Sequence, residues 1–394
     1  MARVVRAVAD RLACHREVHV LGVDTAPRAS NELLVQPSDW VLHPNPDPWD
    51  IFAEGALAKL VPTLRPNSIV LYQDPWVVPR MRRVIPDQYV VAAYCPLDGA
   101  ILRDDVITGL MGFHGLAVPT AFARHEILAC AKALGRGDQV PFQEIAVLPH
   151  GVDLAHFGPC GGRVKDLDRR RVEARRALFP DRPELWRGFW VLNGSRNQAR
   201  KRLDLTLEGF AIFAAGQASD VRLYVHWAAE RRGGVDVHRL VRALGIEDRL
   251  ITSTGVGVST ERLNLIYNAA DVGVNTATGE GWGLIALEHA ATGAAQVVPD
   301  HSACRELWQG AAEMLPVQRR LLRAGLTAGG EVDPNDLADA LSRLYHDRNY
   351  YAAMVRRAGE RARHPRLQWE AIGRGWEAWL QGIEAAHGPG SMAR

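Results

Sequence analysis

The chain has 394 residues, which at about 150 per domain makes two domains the starting expectation and leaves length for cores without disulfide or metal staples. Apolar residues at 47% and charged residues at 23% exclude a disordered, collagenous or fibrous protein. Forty-seven Lys and Arg against 45 Asp and Glu leave a formal charge of +2, too balanced to mark a nucleic-acid binder or a protein drawn as a whole to anionic membranes.

The five cysteines, Cys14, Cys95, Cys130, Cys160 and Cys304, include no CxxC pair, which argues against a disulfide framework or zinc knuckle and for a reducing cytosol. No run approaches 18 apolar residues, and Arg3, Arg6 and Arg11 interrupt the first dozen, so neither a membrane span nor a signal core is expected.

In chain order, ARVVRAVADRL after Met1 reads as a helix with Val4, Val5, Val8 and Leu12 on one stripe. Short β-branched runs follow at 18 to 23, 68 to 73, 89 to 94, 115 to 118 and 145 to 149, with amphipathic stretches such as FARHEILACAKAL between them. That rhythm predicts a parallel sheet covered on both faces. Residues 158 to 187 break it with Gly161, Gly162, Pro180 and Pro183. They hold a helix near 168 to 178, and across the segment nine Arg and Lys stand against five acids, which reads as a solvated helix, with a phosphate or lipid-surface contact as the alternative.

A second alternating series, at 188 to 194, 221 to 227, 250 to 254, 271 to 276 and 295 to 298, predicts a second βα domain. No repeat of 20 to 50 residues is present, so a solenoid or propeller is not expected. Ligands of open α/β sheets sit beyond the carboxyl ends of the strands, so two such domains facing one another would hold substrates between them. The last helical stretch carries Trp369, Ile372, Trp376, Trp379 and Leu380 on one stripe.

The most informative segment is GEGWGLIALE at 279 to 288. Gly279, Gly281 and Gly283 leave backbone amides uncovered where a helix must start, which suits anionic oxygens, although tight turn geometry alone also selects glycine. Glu288 lies five residues past Gly283, about 7.5 Å along a helix, and Glu280 stays in the loop. A ligand with a phosphate in the middle and hydroxyls at both ends fits that spacing, and a nucleotide sugar has that shape.

Glu280 and Glu288, separated by seven residues, closely resemble the EX7E signature of the retaining glycosyltransferases of family 4. PHGVDLAHF at 149 to 157, NGSRNQARKRLDL at 193 to 205 and IYNAADVGVNT before the glutamate loop follow in the order that family shows. The resemblance is good over 145 to 315 and covers the amino-terminal half in outline. It implies an α/β chain of GT-B fold, two facing Rossmann-like doubly wound domains with an interdomain cleft. Residues 1–155 would form the acceptor-side domain, with the helix 366–386 packing back on it, and 156–365 the domain that binds the nucleotide sugar.

The resemblance further implies that Glu288 binds the ribose, that Glu280 lies against the donor sugar, and that the backbone of Gly281, Trp282, Gly283 and Leu284, with Gly194, holds sugar and phosphate oxygens. Trp282 replaces the commoner Phe, either as an aromatic wall or as core packing. Arg196 and Lys201, five residues apart, would diverge by about 140° on one helix and converge only across a loop. In the family motif two such cations point into the cleft and neutralise the departing diphosphate; outside that context they read as surface cations beside Arg200 and Arg202.

Retaining members use front-side attack, so the two glutamates are not read as a glycosidase pair. On the acceptor side Asp98, after the 89-to-94 strand, either touches a sugar or serves as a turn or helix cap. Gln73 and Asp74 are similarly placed. His114 reads as packed or solvated, and His150 as tightening the turn before Gly151.

No HxH, DxD or HExxH ligand set is present, so no metal and no cofactor are expected beyond the nucleotide-diphosphate sugar itself. The expected function is a cytoplasmic retaining glycosyltransferase with an acceptor left open among sugar, lipid and protein, no nucleic-acid partner and room for peripheral contact at the inner membrane face. The alternatives are a catalytically silent nucleotide-sugar sensor or scaffold, or another enzyme of the fold such as a nucleotide-sugar epimerase. A phosphorylase would need pyridoxal phosphate on a lysine, and no such setting is evident. The family normally opens with a strand and Gly-rich loop before the first helix. An absent first strand is therefore expected, against a variant whose first helix caps the sheet.

Overall fold

The computed structural model describes residues 2–22, 39–45, 47–139, 141–160, 166–226, 234–252, 258–323 and 327–388. Val23, Gly161, Gly162, Trp227, Ser253 and Thr254, named among the strand and linker readings, lie outside them. The chain divides into one unit of residues 1–151, 324–327 and 366–394 and a second of 152–323 and 328–365.

The first unit begins with α1 (Ala2–Leu12), which buries Val4, Val8 and Leu12 as the valine spacing predicts. Strands β1 (His19–Leu21) and β2 (Val41–His43) pair in parallel as a sheet of their own. Then come α2 (Glu54–Leu64), β3 (Ser68–Tyr72), α3 (Val78–Arg82), β4 (Val90–Tyr94), the two-residue β5 (Ala100–Ile101), α4 (Asp104–Leu110), β6 (Gly115–Val118), α5 (Ala121–Ala133) and β7 (Ile145–Val147). Strands β3, β4, β6 and β7 form a parallel sheet in that order. Every residue of β4 and β6 is buried, because a central parallel strand has helices on both faces.

The second unit runs through α6 (Leu167–Leu178), β8 (Trp190–Asn193), α7 (Leu203–Ala214), β9 (Arg222–Val225), α8 (Val237–Ala243), β10 (Leu250–Thr252), α9 (Thr260–Ala269), β11 (Val272–Val274), α10 (Leu284–Ala291), β12 (Ala295–Pro299), α11 (Ser302–Trp308), β13 (Glu313–Leu315), α12 (Pro334–His346) and α13 (Arg348–Ala362). Six parallel strands lie in the order β10-β9-β8-β11-β12-β13. This is the doubly wound order 3-2-1-4-5-6, whose direction of winding reverses between β8 and β11. Val191, Leu223, Val272 and Val297 pack with Leu207, Phe210, Leu337 and Leu341 in its core. Helices α7 and α12 approach closely at Gly209, where a Cβ would stand 2.7 Å from Leu337 and 2.8 Å from the Pro334 carbonyl.

The solvated reading of the helix near 168 to 178 is wrong for its inner face. In α6, Arg171 and Arg175 are 3% and 2% exposed and both meet Asp271, which stands immediately before β11, at 2.5 and 2.7 Å. Asp271 also accepts the Trp190 amide, while Arg175 donates to the carbonyls of Ala269 and Gly188. A charge run conceals two cations that share a single buried carboxylate.

The chain ends in α14 (Trp369–His387), which belongs to the first unit. It buries Trp369, Ile372, Trp376 and Leu380, and sets Ile383 and Trp379 against Val90 and Ala92 of β4. Arg16 binds Glu377 and Glu384 of the same helix.

Candidate functional site

The carboxyl ends of β8 and β11, where the winding reverses, are where a doubly wound sheet leaves room for a ligand. A chain of side-chain hydrogen bonds joins the two ends. Asn193 Nδ2 donates to Thr206, the Thr206 hydroxyl meets Thr276 at 2.8 Å, and the Thr276 hydroxyl donates to the Arg202 carbonyl. Asn193 Oδ1 in turn accepts the Ser195 amide, so the loop leaving β8 is held from its first residues.

Within that loop Arg196 is exposed, whereas Lys201 is buried. Lys201 closes a single 3₁₀ turn, Ala199–Lys201, ahead of α7 rather than lying in the helix. Its ammonium is ion-paired with Glu280, which also accepts from Asn275 Nδ2 at 3.2 Å and stands 3.8 Å from Arg200. Burial opposes ionisation of Glu280, but Lys201 and Arg200 outweigh it and hold the carboxyl below its ordinary range. Burial lowers the Lys201 value, with Glu280 working against it. Glu280 and Lys201, read from the sequence as belonging to the donor sugar and to the diphosphate, thus stand in direct contact with one another.

Gly283 takes φ +94° and starts α10 without a side-chain cap, so the glycine there answers a left-handed backbone requirement and leaves amide groups at the helix start. Glu288 is the fifth residue of α10, 3% exposed, and accepts the Tyr267 hydroxyl at 3.0 Å. Gly194 lies against the first turn of α10, since a Cβ there would come within 3.0 Å of Ile285. Trp282 is 5% exposed, which fits the core-packing alternative better than an open wall. Gly281 and Leu284 are half-buried beside it.

Asp98 lies in the first unit, half-buried between β4 and β5, apart in sequence and unit from this cluster. Gln73 and Asp74 follow β3. His114 is a packed residue whose Nδ1 accepts the Val91 amide. His150 is buried in the first unit against Tyr72 and Tyr94, and burial pushes its value down to about 3.

Sequence reasoning missed Asn275, Tyr267, His301 and Ser302. Asn275 carried the only available signal, a polar residue directly after an apolar strand. Among the described residues, no group of three or more His, Cys, Asp or Glu could hold a metal ion, and no helix is long and apolar enough to cross a membrane.

Residues 190–347, which contain this cluster, match the family model described as Glycosyl transferases group 1. The D-inositol 3-phosphate glycosyltransferase of Salinispora tropica is 31% identical over 235 residues, 57% of this chain and 43% of that protein. The mannosylfructose-phosphate synthase of Agrobacterium fabrum is 28% identical over 165 residues, 40% of this chain and 33% of that protein. The matched stretches thus span less than half the length of either curated relative.

Among solved structures, the sucrose-phosphate synthase of Thermosynechococcus elongatus aligns with a TM-score of 0.70 at 16% identity over 97% of this chain and 93% of that one. The HepE protein of Anabaena in complex with UDP and glucose aligns with a TM-score of 0.69 at 13% identity over 97% and 95%. These likenesses show the fold, which is GT-B. Within it, the stretch from β8 to the end of α12 is the part that matches the Glycosyl transferases group 1 model.

Proposed function

We propose that the chain is a glycosyltransferase that moves a sugar from a nucleotide-diphosphate sugar with retention of anomeric configuration. The observation that carries the reading is the grouping, at the point where the sheet reverses its winding, of Lys201 with Glu280 and of an uncapped helix start with a buried Glu288. A carboxylate five residues inside α10 suits two vicinal ribose hydroxyls, and the amides of Trp282, Gly283 and Leu284 suit diphosphate oxygens.

Lys201 and Arg196 would meet the leaving diphosphate, whose charge grows as the glycosidic bond stretches. Glu280 would take a sugar hydroxyl while keeping Lys201 in reach of the phosphate, and Asp98 would touch the acceptor. Two cations and a helix start can balance a diphosphate without a metal ion, and we assign the enzyme to the cytoplasm on its cysteine usage.

The test is a panel of nucleotide sugars scored by thermal shift, since a ligand that binds only the folded chain raises its apparent stability. Transfer is then followed by proton NMR of the first product. The curated relatives' names contain inositol 3-phosphate and mannosylfructose-phosphate, so the acceptor panel begins with phosphorylated polyols and sugars. A product of inverted configuration overturns the retaining mechanism, and no stabilisation by any nucleotide or nucleotide sugar overturns the reading as a whole.

A further inference from the structure

We propose that His301 and Ser302 are positioning residues that set the Glu280 loop, and that Ser302 does so through its hydroxyl. His301 precedes α11 and Ser302 is its first residue, just after β12, the strand paired with β11. His301 Nε2 lies 3.0 Å from the Ala277 carbonyl, which can only accept, so Nε2 carries a proton, and in the neutral ring Nδ1 is then an acceptor. Nδ1 lies 2.9 Å from Ser302 Oγ and therefore takes the hydroxyl proton, and the same Oγ accepts the Glu280 amide at 3.2 Å.

One direction of donation thus runs from Glu280 N–H to Ser302, from Ser302 to His301, and from His301 back to Ala277. The Glu280 carbonyl is held too, by the Ala303 amide at 3.3 Å. The loop's backbone is fixed at both ends of the turn that presents the Glu280 carboxylate to Lys201.

Two further features show that the arrangement is built for these side chains. Ser302 has φ +45°, a left-handed conformation that glycine would adopt without strain. Gly330 gives His301 its space, since a Cβ there would stand 2.8 Å from the imidazole Cδ2. The Gly330 amide meanwhile donates to Thr278 of the same loop.

The inference rests on the donor role proposed for Glu280, and the experiment separates the two. In the intact chain, hydrogen exchange read on peptides spanning 277–284 is expected to quicken in Ser302→Ala and Ser302→Gly, and unchanged exchange overturns the clamp whether or not any activity is found. With a donor that turns over, both variants should lose about tenfold in kcat with donor KM unchanged. Ser302→Gly is the discriminating variant. A residue serving only the backbone turn would lose nothing as glycine, whereas the proposal expects an unfolding temperature equal to or above the parent's together with the lower kcat.

His301→Ala should cost the same, and the double His301→Ala/Ser302→Ala no more than either alone, because both act through one chain of hydrogen bonds. Full kcat in Ser302→Gly, or additive losses in the double variant, overturns the proposal. A parent that turns over no nucleotide sugar strikes at the proposed function instead and leaves the exchange result to decide the clamp.

Discussion

Lys201 and Glu280 neutralise one another across the gap between the loop that leaves β8 and the loop that leaves β11. Each side chain is less than a tenth exposed, so neither charge has water to fall back on when its partner is removed. A ligand that draws on either must also satisfy the other.

Removing one member should therefore cost stability, and removing both should restore much of it. Lys201→Met and Glu280→Gln are each expected to lower unfolding stability by about 3 kcal/mol, as for other broken buried pairs, and the double variant to lose clearly less than the sum. Chemical denaturation of the four proteins measures the coupling, and strict additivity would show that the pair is not a unit.

Nucleotide binding should depend on Glu288. A carboxylate accepting ribose hydroxyls makes charge-assisted hydrogen bonds of about 1.5 to 3 kcal/mol each, so Glu288→Ala should weaken a bound nucleoside diphosphate by at least tenfold in calorimetry. Tyr267→Phe, which deletes the hydroxyl that orients this carboxylate, should weaken it by a smaller factor. Equal affinity in parent and Glu288→Ala would remove the residue from the ribose site.

Turnover should respond to the cations more than donor affinity does. Arg196→Ala and Lys201→Ala are expected to lower kcat more than they raise donor KM, because the leaving diphosphate is more negative in the transition state than in the bound donor. Chelator should have little effect. Loss of activity in EDTA with rescue by magnesium or manganese would transfer the leaving-group charge from these side chains to a metal.

Acid should weaken the fold well above the carboxylate range. Burial pushes His150 down to about 3, and burial with Arg171 nearby does the same for His289. A histidine with a lowered value binds its proton more readily in the unfolded chain. Its stabilising contribution is complete above the unfolded value near 6.5 and is lost as pH falls toward 3, at about 1.4 kcal/mol per pH unit for each group. Urea midpoints at pH 7 and pH 5 should differ accordingly, and His289→Gln should reduce the difference.

Asp271 behaves oppositely in range. Burial opposes its ionisation, Arg171 and Arg175 more than compensate, and its value is lowered. Its contribution is therefore present above the ordinary carboxylate value and disappears only as pH falls below it. Asp271→Asn should cost about 3 to 5 kcal/mol at pH 7 by leaving two buried guanidinium groups without their counter-ion.

The parallel strands, the helix start after Gly283 and the placement of Glu288 inside α10 were legible because each rests on local pattern, namely apolar runs, a glycine cluster and a count of residues. The order β10-β9-β8-β11-β12-β13 was not, since it follows from pairing between distant segments. The Lys201–Glu280 pair was hidden for the same reason, as 79 residues separate its members. In α6 a signal existed and was outweighed. Leu167, Arg171, Ala174, Arg175 and Leu178 share one helical face, but a run rich in arginine reads as solvated unless a buried acid such as Asp271 is known to face it. His301 and Ser302 act through orientation and a left-handed φ, which residue names do not disclose.

Strand β11 is only three residues long, with Asp271 immediately before it and Asn275 immediately after. At about 3.3 Å per residue Asp271 and Asn275 stand roughly 13 Å apart on one rod. Lengthening or shortening that rod by one residue would turn either Asp271 or Asn275 to the opposite face of the sheet. The length of the strand is thus fixed by the need to keep both ends in phase, so that Asp271 holds the arginines of α6 while Asn275 reaches Glu280.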